Sequence, residues 1–237
     1  ADTVAAAWHD ELRQAYGPVQ DQTGAPTDFA EKVFPEGDES ELDVGPALSP
    51  DGSRLLFLSQ RDPFSIDLYL ANAETGEIIR RVTRSALDPH YHSLQFINSA
   101  GAWAADGSRF AFAAVQQGQP IITIMDADSG ERLRTLRFPE LGAAFNPTWS
   151  PDGREIAFVA NDGGLLDLWV VTVETGELRR LTNDAYAEIH PDWSPDGSRL
   201  VVATDRFTSD LDVLDTGHFR LATVDVETGT VRPLASF

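Results

Sequence analysis

Aspartate recurs wherever this sequence could do chemistry. Asp51, Asp106, Asp152 and Asp196 each precede a glycine and stand 55, 46 and 44 residues apart. Four equivalent carboxylates do not read as a catalytic set, because a catalytic centre is usually built once. Asp-Gly at regular spacing is instead the chemistry of a tight strand-joining turn. A second acidic group, Asp205, Asp210, Asp212 and Asp215, lies within one short stretch. Ca2+ takes about six to eight oxygens, which carboxylates and loop carbonyls together can supply. The spacing matches no calcium-binding loop, so the expectation is no cofactor and no metal, with Asp210, Asp212 and Asp215 as the calcium candidates. His90 and His92 would share one side of an extended segment with Asp88, as zinc ligands do, but Pro89 interrupts a strand there. The two histidines are therefore read as part of a polar loop.

Nucleophilic catalysis finds no motif. Gly-x-Ser-x-Gly, a cysteine nucleophile and His-Glu-x-x-His are all missing from the sequence. Arg61, Asp205 and Arg206 are the candidate ligand-binding residues, as polar groups at the mouth of a channel that holds a peptide. The competing reading puts Asp205 and Arg206 in ion pairs between strands or blades.

The elements that would position these groups follow from a repeated phrase. It reads Leu48-Ser49-Pro50-Asp51-Gly52, Trp103-Ala104-Ala105-Asp106-Gly107, Trp149-Ser150-Pro151-Asp152-Gly153 and Trp193-Ser194-Pro195-Asp196-Gly197. Each phrase is followed by a run that is apolar on both faces, such as Leu55-Leu56-Phe57-Leu58 and Ile156-Ala157-Phe158-Val159. A strand dry on both sides must lie between two neighbours. Each unit then closes on a second turn, Glu74-Thr75-Gly76, Asp128-Ser129-Gly130, Glu174-Thr175-Gly176 or Glu227-Thr228-Gly229. A period in the mid-forties with these turns predicts an all-β propeller of four-stranded antiparallel blades, at about 45–100, 101–147, 148–191 and 192–237. The fourth strand of each unit carries arginines, including Arg80, Arg81, Arg179, Arg180 and Arg232, which would guard an exposed edge. The three tryptophans are expected to pack between blades.

Residues 1–44 form a separate region, an N-terminal helix and linker. Val4, Trp8, Leu12 and Tyr16 make one apolar stripe, and Gly17-Pro18 is expected to stop the helix. Phe29, Val33 and Phe34 would add a strand or a clamp on the propeller's side. Four blades are expected to belong to a larger propeller, or to be completed by self-association with a second copy.

Composition limits the partners. The formal net charge is −20, which opposes nucleic acid and anionic membranes and would suit a cationic partner or a salty medium. The 18 basic residues include a single lysine, Lys32. No apolar run approaches the ~20 residues of a membrane-spanning helix. The lack of cysteine excludes disulfides and fits an extracytoplasmic setting.

The repeat resembles that of the TolB-like propellers. Trp149-Ser150-Pro151-Asp152-Gly153, an apolar strand, Glu174-Thr175-Gly176 and Arg179-Arg180-Leu181-Thr182 show it most fully. Thr204-Asp205-Arg206 is similar to the Ser-Asp-Arg that often follows the second strand in that family, and Ser59-Gln60-Arg61 departs from it by one residue. The second unit departs most, with Ala105 in place of proline. The resemblance covers residues 45–237. It implies a non-enzymatic, periplasmic or otherwise extracytoplasmic module that binds a protein or peptide at one end of the channel. The alternative it implies is an accessory propeller of a secreted or envelope peptidase whose catalytic domain lies elsewhere. A third reading, from the residues alone, is a propeller enzyme using the acidic loop of the last unit with a divalent cation.

Overall fold

The structure is a computed structural model that describes residues 2–20, 22–24, 28–34, 40, 42–62, 64–84, 93–94 and 101–234. Asp88, Pro89, His90, Tyr91 and His92 lie outside the described residues, so the histidine pair is not placed. The chain divides into two units, Ala1–Asp38 and Glu39–Phe237.

The first unit is dominated by α1 (Asp2–Gln20). The helix does not stop at Gly17-Pro18, as the sequence suggested, but includes Pro18 in its last turn. Proline's fixed φ is already helical, and near a C-terminus it removes only one backbone bond. Phe29 is exposed, and residues 28–34 form turns and bends in place of a strand.

In the second unit the two-faced apolar runs become central strands. The first sheet orders β1 (Asp43–Leu48), β2 (Arg54–Asp62), β3 (Ser65–Asn72) and β4 (Ile78–Arg81). In the second, β5 (Ser93–Leu94) and β6 (Ala102–Trp103) both pair with β7 (Arg109–Gln116), followed by β8 (Gln119–Asp126) and β9 (Arg132–Arg137). The third runs β10 (Ala143–Trp149), β11 (Glu155–Asp162), β12 (Leu165–Thr172) and β13 (Leu178–Arg180). The fourth runs β14 (Glu188–Trp193), β15 (Arg199–Thr204), β16 (Arg220–Asp225) and β17 (Val231–Pro233). Every sheet is an antiparallel meander. Each takes its innermost strand from residues ahead of the Asp-Gly turn, and β10 and β14 begin a few residues before the bounds of 148 and 192 read from the repeat.

Three apolar cores hold the sheets flank to flank. Leu56, Leu58, Leu68 and Leu70 meet Phe110, Phe112 and Ile121 between the first and second blades. Ala111, Ile122 and Ile124 meet Ile156, Phe158 and Val171 between the second and third. Val159, Leu168 and Val170 meet Leu200, Val202 and Val224 between the third and fourth. Burying one such side chain contributes roughly 1.5–3 kcal/mol, so these interfaces dominate the stability of the stack. No buried cluster among the described residues joins the first blade to the fourth.

The repeated turns have a common chemistry. Gly52, Gly107, Gly153 and Gly197 adopt φ between 68° and 74°, where a side chain would be strained. Asp51 accepts hydrogen bonds from the Ser49 hydroxyl at 2.6 Å and the Ser53 amide at 3.1 Å. Those bonds, led by the Ser49 hydroxyl, lower its pKa to about 2, and the Ser194 hydroxyl does the same for Asp196. The aspartates are thus turn staples. A Cβ at Gly229 would fall 2.2 Å from the Leu181 carbonyl oxygen, so the fourth blade's outer turn lies directly against the third.

Three innermost strands share a bulge at Gly45, Asn146 and His190, with φ of 63°, 46° and 53°. Proline follows each of them. Lacking an N–H, proline leaves no orphaned donor where the ladder is interrupted.

Candidate interaction site

One end of the propeller carries the turns with Asp-Gly and Thr-Gly. The opposite end carries the connections from second to third strand and from one blade to the next. In the fourth blade the second-to-third connection, residues 205–219, is far longer than the Gln117-Gly118 turn that does the same job in the second. The site is built on this segment.

Its base is held by polar groups. Asp205 is buried at the end of β15 and accepts from the Ala187 amide at 2.9 Å and the Ser209 hydroxyl at 2.9 Å. Ser209 in turn accepts from the Gly217 amide at 2.9 Å, and Thr208 donates to the His218 carbonyl at 2.6 Å. Of the two residues expected in ion pairs between strands or blades, Asp205 is thus held by an amide and a hydroxyl, and its carboxylate and the Arg206 side chain part company. They diverge because adjacent residues leaving a strand point to opposite sides.

Arg206 pairs elsewhere. Its guanidinium lies 2.5 Å from Asp184 and 3.0 Å from Glu188, and over the Tyr186 ring at 4.9 Å. Glu188 begins β14 with 0% exposure and also meets the hydroxyls of Thr182 at 2.8 Å and Thr204 at 3.2 Å. Thr182 follows β13, so this carboxylate ties the third blade to the fourth. Burial raises the Glu188 pKa, against the lowering effect of the Thr182 and Arg206 hydrogen bonds. Burial also works against the charge of Arg206, but its bonds to Asp184 and Glu188 prevail and raise its pKa.

Above this base the chain turns on itself. Asp210 and Asp215 exchange two backbone hydrogen bonds, at 2.8 and 2.9 Å, and the Asp212 amide donates to the Asp210 carboxylate at 3.0 Å. Leu214 sits at the tip with φ of 55° and 86% exposure, and Val213 beside it is also exposed. A left-handed conformation costs a residue with a side chain roughly 1–2 kcal/mol. The calcium candidates Asp210, Asp212 and Asp215 thus shape a hairpin. Among the described residues no three His, Asp or Glu side chains gather as a metal-ligand set.

Arg61 is not part of this arrangement. It lies one residue before the end of β2 in the first blade, with its guanidinium 5.8 Å from the Phe57 ring and 5.9 Å from Tyr69. The arginines of the fourth strands also differ from the expected edge guards. Arg81 lies 2.6 Å from Asp67 and Arg180 lies 2.5 Å from Asp167, and both aspartates are fully buried. Arg80 and Arg179 reach across to the Asp128 and Val226 carbonyls of the following blade. A buried carboxylate one residue before Leu68 and Leu168 draws the guanidinium inward, because an unpaired buried charge is costly.

Sequence reasoning missed Glu188, Asp184, Tyr186 and the Asp67 and Asp167 pairs. The last had a signal: Asp-Leu in the third strand and Arg-Arg-x-Thr in the fourth recur together in the first and third units and in neither of the others. Glu188 had none, because its partners Thr182, Thr204 and Arg206 are brought to it only by the packing of the third and fourth blades.

Four-stranded antiparallel sheets stacked radially through apolar flanks, with long connections gathered at one end, define a β-propeller protein. A family model described as the TolB beta propeller domain matches residues 91–211, and the chain belongs to that family. An uncharacterized protein of Agrobacterium fabrum is 30% identical over 190 residues, covering 79% of this chain and 59% of the relative. A protein TolB homolog of Chlorobium luteolum is 26% identical over 181 residues, covering 76% of this chain and 36% of the relative. A solved structure assigned to TolB, from Agrobacterium tumefaciens, superposes with a TM-score of 0.66 and 26% identity, over 83% of this chain and 66% of that one. This chain therefore spans about a third to three fifths of the curated relatives it matches. No helix among the described residues is long and apolar enough to cross a membrane.

Proposed function

We infer that this propeller is a non-enzymatic protein-interaction module of the bacterial cell envelope, and that it engages a protein or peptide segment at its connection-bearing end. The observation that carries this is the fourth-blade hairpin. Its base is fixed by Asp205, Ser209 and Thr208, while Val213 and Leu214 are held out to solvent at its tip. Binding groups presented by loops on a rigid scaffold are the usual division of labour. Exposed apolar side chains at a stiff tip lose little freedom on docking. Asp210, Asp212 and Asp215 add negative charge around the tip, which favours a cationic segment. Membership of the TolB propeller family supports an extracytoplasmic setting.

The experiment places a photo-crosslinking side chain at Val213, or at Asp106 on the opposite end, in the protein expressed in a bacterial periplasm. Discrete adducts from Val213, absent from Asp106 and lost when Leu214→Asp is added, are the expected result. Equal yields from both ends, or no adduct from Val213, would overturn the reading.

A further inference from the structure

The second, third and fourth blades each present a seat for a guanidinium to the blade before them. Their tryptophans are held alike: Trp103 donates its indole N–H to the Ala47 carbonyl at 2.9 Å, Trp149 to Ala102 at 3.2 Å and Trp193 to Thr148 at 3.1 Å. Two of the seats are filled from within the chain. Arg54 of the first blade lies 5.1 Å from the Trp103 ring, and donates to the Gly107 carbonyl at 2.9 Å and the Asp128 carboxylate at 2.8 Å. Arg109 of the second blade lies 4.8 Å from the Trp149 ring. Gly153 stands against it, since a Cβ there would fall 3.0 Å from a guanidinium nitrogen of Arg109. Both arginines stand two residues after an Asp-Gly glycine.

Between the third and fourth blades the same position holds Glu155. It begins β11 on the face of Ala157 and Val159, which pack against the fourth blade. The receiving residues are kept: Trp193 stands for Trp103, Gly197 for Gly107 and Glu227 for Asp128. Among the described residues no guanidinium covers the Trp193 ring, and neither Glu155 nor Glu227 has an ion pair. The nearby Arg154 meets Asp152 at 3.7 Å, and Arg179 donates to the Val226 carbonyl at 2.6 Å. What remains is a cleft of about 420 Å³, lined from the third blade by Asp152 and Glu155 and from the fourth by Trp193, Asp196 and Gly197. A second cleft of about 510 Å³ shares Gly197 and reaches Glu227. Volumes of this size suit a side chain or small ligand.

We propose that this cleft binds an arginine side chain of a partner peptide, whose guanidinium takes the place over Trp193 that Arg54 and Arg109 take over Trp103 and Trp149. The indole face attracts a cation. The Gly197 carbonyl accepts as Gly107 does, and Glu155 and Glu227 supply the opposite charge. At the two filled seats the chain contributes the positive charge itself. At the third it contributes a negative one, so the cation comes from outside. Arginine fits better than lysine, because a planar guanidinium stacks on a ring while donating sideways to a carbonyl and a carboxylate. The net charge of −20 draws cationic segments toward the surface as a whole. The cleft lies at the end that carries the Asp-Gly turns, away from the Val213 and Leu214 tip, and goes beyond the function proposed above.

Proton–nitrogen NMR of the full chain separates the indole N–H signals, and Trp193→Phe assigns the one at this cleft. The probe is acetyl-arginine methylamide, with the lysine and the neutral citrulline counterparts as controls. The Trp193 signal should shift saturably with a dissociation constant of about 1–10 mM for this single side chain. Trp103 and Trp149 should shift little, citrulline should have no effect, and lysine should bind more weakly. Glu155→Gln should weaken arginine binding by at least about threefold. Glu155→Arg places a guanidinium in the seat from within, as at the other two interfaces, and should abolish it. An equal response to citrulline or lysine, equal shifts at all three indoles, or undiminished binding in Glu155→Arg would overturn the proposal. So would a Trp193 signal that moves with protein concentration alone, which would assign the seat to an arginine of a second copy. None of these readouts depends on the Val213 crosslink.

Discussion

The Glu188 carboxylate lies 3.0 Å from the Arg206 guanidinium, and together they join the connection between the third and fourth blades to the end of β15. Arg206→Ala leaves Glu188 buried with its charge uncompensated by that guanidinium, an arrangement that costs about 3–5 kcal/mol. Urea unfolding should show a loss of this size, and Arg206→Ala combined with Glu188→Gln should recover most of it. A double variant as unstable as the single one would contradict the assignment.

The threonines after the fourth strands test the same region more finely. Thr83 accepts from the Leu68 amide and donates to Asp67, whereas Thr182 accepts from Leu168 and lies between Asp167 and Glu188. Thr83→Val and Thr182→Val should each cost about 1–3 kcal/mol, because each removes the acceptor of a buried amide and the donor to a buried carboxylate, Asp67 in the first case and Glu188 on the next blade in the second. No loss at Thr182 would mean that the bond to Glu188 adds nothing.

Trp149 and Trp193 make the same backbone hydrogen bond, but only Trp149 also stacks under an arginine, Arg109. Trp149→Phe should therefore destabilise more than Trp193→Phe, by about 0.5–1 kcal/mol. Thermal unfolding of the two variants, with Arg109→Ala as the control that removes the difference, measures the stacking contribution.

Acid should act on the turns and on Glu188 with opposite sign. Asp51 and Asp196 have pKa values of about 2 in the folded protein, below the ordinary 3.8. Their contribution to stability is complete above the unfolded value and is lost as pH falls toward 2. Glu188 is raised above 4.5, so its ionisation weakens the fold as pH rises from that value through its folded pKa. Carboxyl-carbon NMR titration should place the two aspartates well below Glu188. A Glu188 resonance that titrates below 4.5 would refute its burial as a charge.

The sequence by itself determined the blades. Dry two-faced strands, Asp-Gly and Thr-Gly turns and three tryptophans at one repeated position are local patterns, and local patterns are what periodicity and turn chemistry can read. It also directed attention to Asp205 and Arg206 as partners in ion pairs between strands or blades, without naming the opposite charges. Only the tertiary structure decided that Asp205 staples the hairpin while Arg206 turns back to Glu188. It likewise decided that Arg81 and Arg180 face inward, onto Asp67 and Asp167. The reason is physical: a charged side chain goes where burial and an opposite charge together lower its free energy, and those partners come from elements brought together by the stacking of whole sheets.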